Sequence, residues 1–175
     1  MFHPSVYDNL KVVLEGAVYD ADFEEKILIS GRSDLMDMAT AVRQYKVSFK
    51  LRESSEEIIG HVSISSSLEA LYQEKIKDRP ENAGCLLEYS IALPVEDIDI
   101  ECADIQKVLQ NRYGHSADVQ QHLSYQFGKP RGKYNNLVTI RYRQEVGEDE
   151  IPFLENSLPL FFEALEEICK MKEQC

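Results

Sequence analysis

The sequence predicts an α+β fold: a mainly antiparallel sheet built from hairpins, about three helices, and a long C-terminal helix packed on one sheet face. Two patterns carry that expectation. Several stretches alternate strictly between apolar and polar side chains, which is the signature of strands with one buried face. The last segment instead places Leu158, Phe161, Phe162, Leu165, Ile168 and Cys169 on one helical stripe, with Glu163, Glu166, Glu167 and Lys170 facing away. A length of 175 residues suits one domain over residues 1–175 around one core.

In chain order, Leu10 to Tyr19 and Lys26 to Arg32 read as strands joined by an acidic turn at Asp20, Ala21 and Asp22. Residues Ser33 to Met38 fit either a turn or a helical bend. Ala39 to Arg52 and Glu57 to Ser65 form the next pair, turning at Glu53-Ser54-Ser55-Glu56. In the first of these, Tyr45, Val47, Phe49 and Leu51 fall on one face and Gln44, Lys46, Ser48, Lys50 and Arg52 on the other. The hairpin groups Lys46, Lys50 and Arg52 with His61, Ser63 and Ser65, and Ser48 is expected to face His61. Ser66 with Glu69 three positions later reads as a capping box, so a helix is expected from about Ser67 to Lys77, broken by Arg79-Pro80-Glu81-Asn82. Gly84 to Leu93 returns to period two and Pro94 stops it. Ile105, Val108, Leu109 and Tyr113 fit a short helix ending before Gly114.

A second basic hairpin follows. Val119, Gln121, Leu123, Tyr125 and Phe127 form its expected buried set, against Asp118, Gln120, His122, Ser124 and Gln126, and Arg141 and Arg143 lie on the return strand. Pairing Leu123 with Ile140 and Tyr125 with Val138 would set His122 beside Arg141 and Gln120 beside Arg143. The element order is then ββββαβαββα, and Pro159 falls in the first turn of the last helix, where its missing N–H costs nothing.

Composition narrows the function classes. With 43% hydrophobic and 29% charged residues the chain is of the soluble globular type. Its formal net charge of −12 repels nucleic acid and anionic lipid at long range, so neither a nucleic acid nor a membrane is an expected partner. Every aromatic of the hairpins falls on an expected buried set, which removes the stacking platform a single strand would need. The opening MFHPSVYDNL lacks the pattern of a secretory signal, so the expected location is cytoplasmic. Cys85, Cys102, Cys169 and Cys175 form no C-x-x-C pair, so free thiols are expected, with Cys175 the one placed to react with a partner.

The chain contains no P-loop, dinucleotide-binding, zinc-peptidase or serine-hydrolase motif, and no cofactor is implied. The acidic run Glu96, Asp97, Asp99, Glu101 and Asp104 lacks the glycine and distal glutamate of a calcium loop, so no metal site is assigned. The loop from Phe127 to Asn136 combines two glycines with Lys129, Arg131 and Lys133, a composition that grips an anion. Lys129, Arg131, Lys133, Arg141, Arg143 and His122 are therefore the candidate ligand-binding residues. The favoured function is a non-catalytic binding or assembly module, meeting a protein partner or a copy of itself through a polar, partly basic sheet face. The alternative is a small enzyme acting on an anionic or phosphorylated metabolite, with the two arginines fixing the anion and His122 as acid or base.

Overall fold

The computed structural model describes residues 5–54, 57–79, 81 and 83–173. Its elements run α1 (Val6–Phe23), β1 (Ile27–Asp37), β2 (Val42–Leu51), β3 (Ile59–Ser66), α2 (Leu68–Lys75), β4 (Leu86–Val95), α3 (Ile98–Tyr113), β5 (Ala117–Ser124), β6 (Tyr134–Tyr142) and α4 (Ile151–Glu173), with a 3-10 turn at Glu148–Glu150. All strand pairings are antiparallel, in the spatial order β1-β2-β3-β4-β6-β5. The expected α+β class with hairpin-connected strands and a long last helix is what the chain adopts.

The first expected strand is a helix. Tyr7, Leu10, Leu14, Val18 and Ala21 are buried at intervals of three and four, so the valine-rich run Leu10 to Tyr19 belongs to α1. Its start is specified by a capping box: the Ser5 hydroxyl accepts from the Asp8 N–H at 3.1 Å and the Asp8 carboxylate accepts from the Ser5 N–H at 3.1 Å. The Ser33 to Met38 segment continues β1 almost to its end, with a bulge between Ile29 and Gly31. The β1–β2 turn closes on Asp37, whose carboxylate takes the Ala39 N–H and the Thr40 hydroxyl.

Other boundaries differ from expectation for similar local reasons. Ser67, not Ser66, caps α2, accepting from the Ala70 N–H at 3.2 Å. α3 begins seven residues earlier than its apolar stripe suggests, because the acidic run is a helix start: the Asp97 carboxylate caps the Ile100 N–H, and Asp99 and Glu101 lie in the positive first turn. α4 likewise begins at Ile151, extending the stripe back to Leu154. Pro159 therefore lies inside the helix rather than in its first turn. The expected turn residues Ser55 and Glu56, the breakers Pro80 and Asn82, and Cys175 lie outside the described residues.

Helices α1, α3 and α4 cover one face of the sheet. Tyr45, Val47 and Phe49 from β2, Val62 and Ile64 from β3, Leu87, Tyr89, Ile91 and Leu93 from β4, and Val138, Ile140 and Tyr142 from β6 are buried beneath them. Phe161 of α4 stacks on Tyr89 at 4.6 Å and meets Phe49 edge-on at 6.1 Å. Gly60 makes this close approach possible, since a Cβ there would stand 2.8 Å from Phe49 and 3.1 Å from Leu165. Cys85 and Cys169 are buried thiols of this core, and burial pushes the Cys85 pKa up to about 12. No described helix is long and apolar enough to cross a membrane.

Candidate functional site

The opposite face of the sheet carries the alternate side chains of every strand. Register fixes them in rows. One row runs Lys46, Ser63, Glu88, Arg141, Asp118 across five strands; the next runs Ser48, His61, Ser90, Thr139, Gln120; a third runs Ile59, Ala92, Leu137, His122. The expected grouping of Lys46 with Ser63 and of Ser48 with His61 is present, and β4 joins the two hairpins into one floor. Six of these fourteen side chains are small or short, and their longer neighbours shade the central Ser63 and Ser90, which are buried on the face away from α1, α3 and α4.

The two arginines of this floor are paired, whereas Lys46 and Lys50 make no ion pair among the described residues. Arg141 grips Glu88 with two N–H groups, at 2.9 and 2.7 Å, from the directly opposed position on β4. Arg143 does the same to Asp118, at 2.9 and 2.6 Å. Both pairs are partly exposed, so each is worth at most about 1 kcal/mol to stability, but each already engages the arginine that an anion would need.

The expected convergence of His122 with Arg141 does not occur. Val119, not Leu123, lies opposite Ile140, so the hairpin register is displaced by four residues; Asp118 faces Arg141 and His122 faces Leu137. An even displacement keeps each side chain on its expected face while moving His122 about 13 Å along the strand. The pattern alone could not detect that shift, because it leaves the alternation unchanged. Gln120 meets Thr139 in place of Arg143.

The buried set of this hairpin also ends sooner than its alternation implies. Val119 and Gln121 lie under α3, where Gln121 donates to the Cys102 carbonyl and to Gln106 and accepts from the buried Asn136 amide at 2.8 Å. Beyond them the chain leaves the helix's cover: Leu123 is exposed, Tyr125 is 73% exposed and Phe127 96%. These two aromatics and the cations Lys129, Arg131 and Lys133 line a surface cavity of about 420 Å³ formed entirely by the 125–134 loop. Gly128 and Gly132 adopt φ of +86° and +91°, which explains why glycine stands at both bends. Lys133 reaches Glu96 at 3.8 Å, while Lys129 and Arg131 make no ion pair among the described residues.

His61 is the titratable group that the residue pattern undervalues. Its Nδ1 lies 2.7 Å from the Ser48 hydroxyl, and burial, reinforced by the Lys46 ammonium, lowers its pKa to about 4. The imidazole is neutral at neutral pH; protonated on Nε2 it accepts from the Ser48 hydroxyl, and protonated on Nδ1 it donates to it. Such a pair has the contact of a base and a nucleophile, but among the described residues no carboxylate hydrogen-bonds to the ring to orient it. The acidic run, for its part, is engaged in structure: burial raises the Glu101 pKa, but the Lys172 ammonium and the N–H groups of Glu96 and Asp97 outweigh that and hold it below the ordinary range.

No family model, no curated protein and no solved structure matches this chain.

Proposed function

We propose that the protein is a non-catalytic binding or assembly module whose working surface is the open face of the sheet, occupied by a protein partner or a second copy. The observation that carries this reading is the state of the charges there: Arg141 and Arg143 are already matched by Glu88 and Asp118. A face of mixed charge, short hydroxylated side chains and exposed Leu86 and Leu137 is suited to another protein surface, which needs mixed polarity. A small anion needs unpaired cations that converge in a concavity.

The anionic-ligand reading retains support at one place, the 125–134 loop, where Lys129 and Arg131 stand beside a cavity with no ion-pair partner among the described residues. In that reading Arg141, Arg143 and His122 play no part, since the first two are engaged elsewhere and the third faces Leu137.

Capture with tagged protein, together with mass by light scattering, tests the module. The expected result is a captured partner, or a mass larger than that of Leu137→Asp, that this substitution removes while the melting temperature is kept. A protein that captures nothing and has the same mass as Leu137→Asp contradicts the reading.

A further inference from the structure

The sheet has two free edges, and they are unlike. β5 has eight residues and its first half lies under α3, whereas β1 is an eleven-residue edge strand with exposed apolar residues at both ends: Phe23 (91% exposed) and Leu28 where the chain enters it, and Leu35, Met36 and Met38 (82%) at its far turn. An edge of this length, with its main-chain groups open on one side, is a template for another strand unless something blunts it. The bulge at Ile29–Gly31 blunts only the first part; Gly31 to Asp37 pairs regularly with β2.

We propose that β1 pairs antiparallel with β1 of a second copy, about a two-fold axis at Ser33, so that the two six-stranded sheets become one continuous sheet. This does not rest on what the open face binds. The register follows from parity and charge. A two-fold axis normal to a sheet keeps every residue on its own face, so facing residues are an even number apart and the axis falls between two copies of one residue. Centring on Arg32 opposes two arginines, and centring on Asp34 opposes two aspartates. Centring on Ser33 opposes Arg32 to Asp34 of the other copy, twice, and sets Leu35 opposite Gly31, whose Cα has open space above it. The same antiparallel arrangement carries the Met36–Met38 end of one copy towards the Phe23–Leu28 end of the other, covering apolar surface at both ends. Arg32 and Asp34 already bond to their own α1, Arg32 to Glu15 and Tyr19 and Asp34 to Lys11, so in the dimer each adds the other copy's charge as a further partner.

The axis residue supplies the test. Within one chain Ser33 pairs with Lys46, so Ser33→Glu is compatible with the fold, but it sets two carboxylates face to face on the axis. Light scattering over a range of concentrations is expected to show a dimer for the unaltered protein, a monomer for Ser33→Glu at an unchanged melting temperature, and a dimer again when Ser33→Glu is mixed with Ser33→Lys. In a Cys175→Ser background, Ser33→Cys is expected to cross-link to itself under mild oxidation, whereas Arg32→Cys is not. A monomer at every concentration overturns the proposal, as does a dimer indifferent to Ser33→Glu or one in which the Ser33→Cys variant fails to cross-link. Leu137→Asp, on the open face, is expected to leave this dimer intact, which separates failure of the edge from failure of the open face.

Discussion

Gly60 and His61 are neighbours on β3 that point to opposite faces, and each exposes a different demand on the sequence. At Gly60 the constraint is space. Any Cβ meets Phe49 and Leu165 at once, and both side chains are fixed by the α4 contact, so Gly60→Ala is expected to destabilise by about 1–3 kcal/mol in urea unfolding. Nothing in the sequence around Gly60 marks this, because a glycine within an alternating run also fits a bulge or an open bend. At His61 the constraint is charge. Its folded pKa is lowered to about 4 from an ordinary 6.5, so between those values the unfolded chain binds the extra proton and stability falls as pH falls. His61→Gln is expected to flatten stability across that window, measured as melting temperature at about pH 7, 5.5 and 4. Because the ring is partly exposed, the effect is an attenuated one.

At the scale of elements, the strands with one covered face were legible and the helix starts were not. Tyr45, Val47, Phe49 and the Cys85 to Leu93 set are buried as their alternation requires. Helix starts escape the pattern wherever polar caps precede the apolar stripe: Asp97 caps α3 well before Ile105, and Ile151 opens α4 ahead of the proline that its stripe would place in the first turn. Asp97→Ala is accordingly expected to cost about 1 kcal/mol, read by urea unfolding with the far-ultraviolet helix signal, since it removes the cap that Ile100 uses. α1 reads as a strand because valines favour strands when no packing partner is known, although the spacing of Tyr7, Leu10, Leu14 and Val18 is there to be seen. α4 also carries a buried hydroxyl pair. Ser157 donates to the Leu154 carbonyl at 2.7 Å and receives the Tyr89 hydroxyl at 2.7 Å. Ser157→Ala is expected to cost about 1–3 kcal/mol, because it strands a fully buried tyrosine hydroxyl; Tyr89→Phe in the same background is expected to recover part of the loss.

At the scale of the molecule, α1, α3 and α4 gather on one side of the six strands and leave the other side uncovered by them. The polar faces of the two hairpins were visible as residue lists, but the candidate site they suggest depends on register. A displacement of four leaves every side chain on its expected face and still parts His122 from Arg141. The pairing of Arg141 with Glu88 is equally hidden, since it crosses from one hairpin to a strand between them. What remains is an open sheet face of mixed charge, with a separate aromatic and basic loop beyond β5. The most direct test of the module reading is to compare the unaltered protein with Leu137→Asp in the same capture and light-scattering experiment, alongside Ser33→Glu to isolate the edge. Loss of the complex in Leu137→Asp, with melting temperature kept, is the predicted result; a complex equally strong in that variant, or no complex from the unaltered protein, would contradict it.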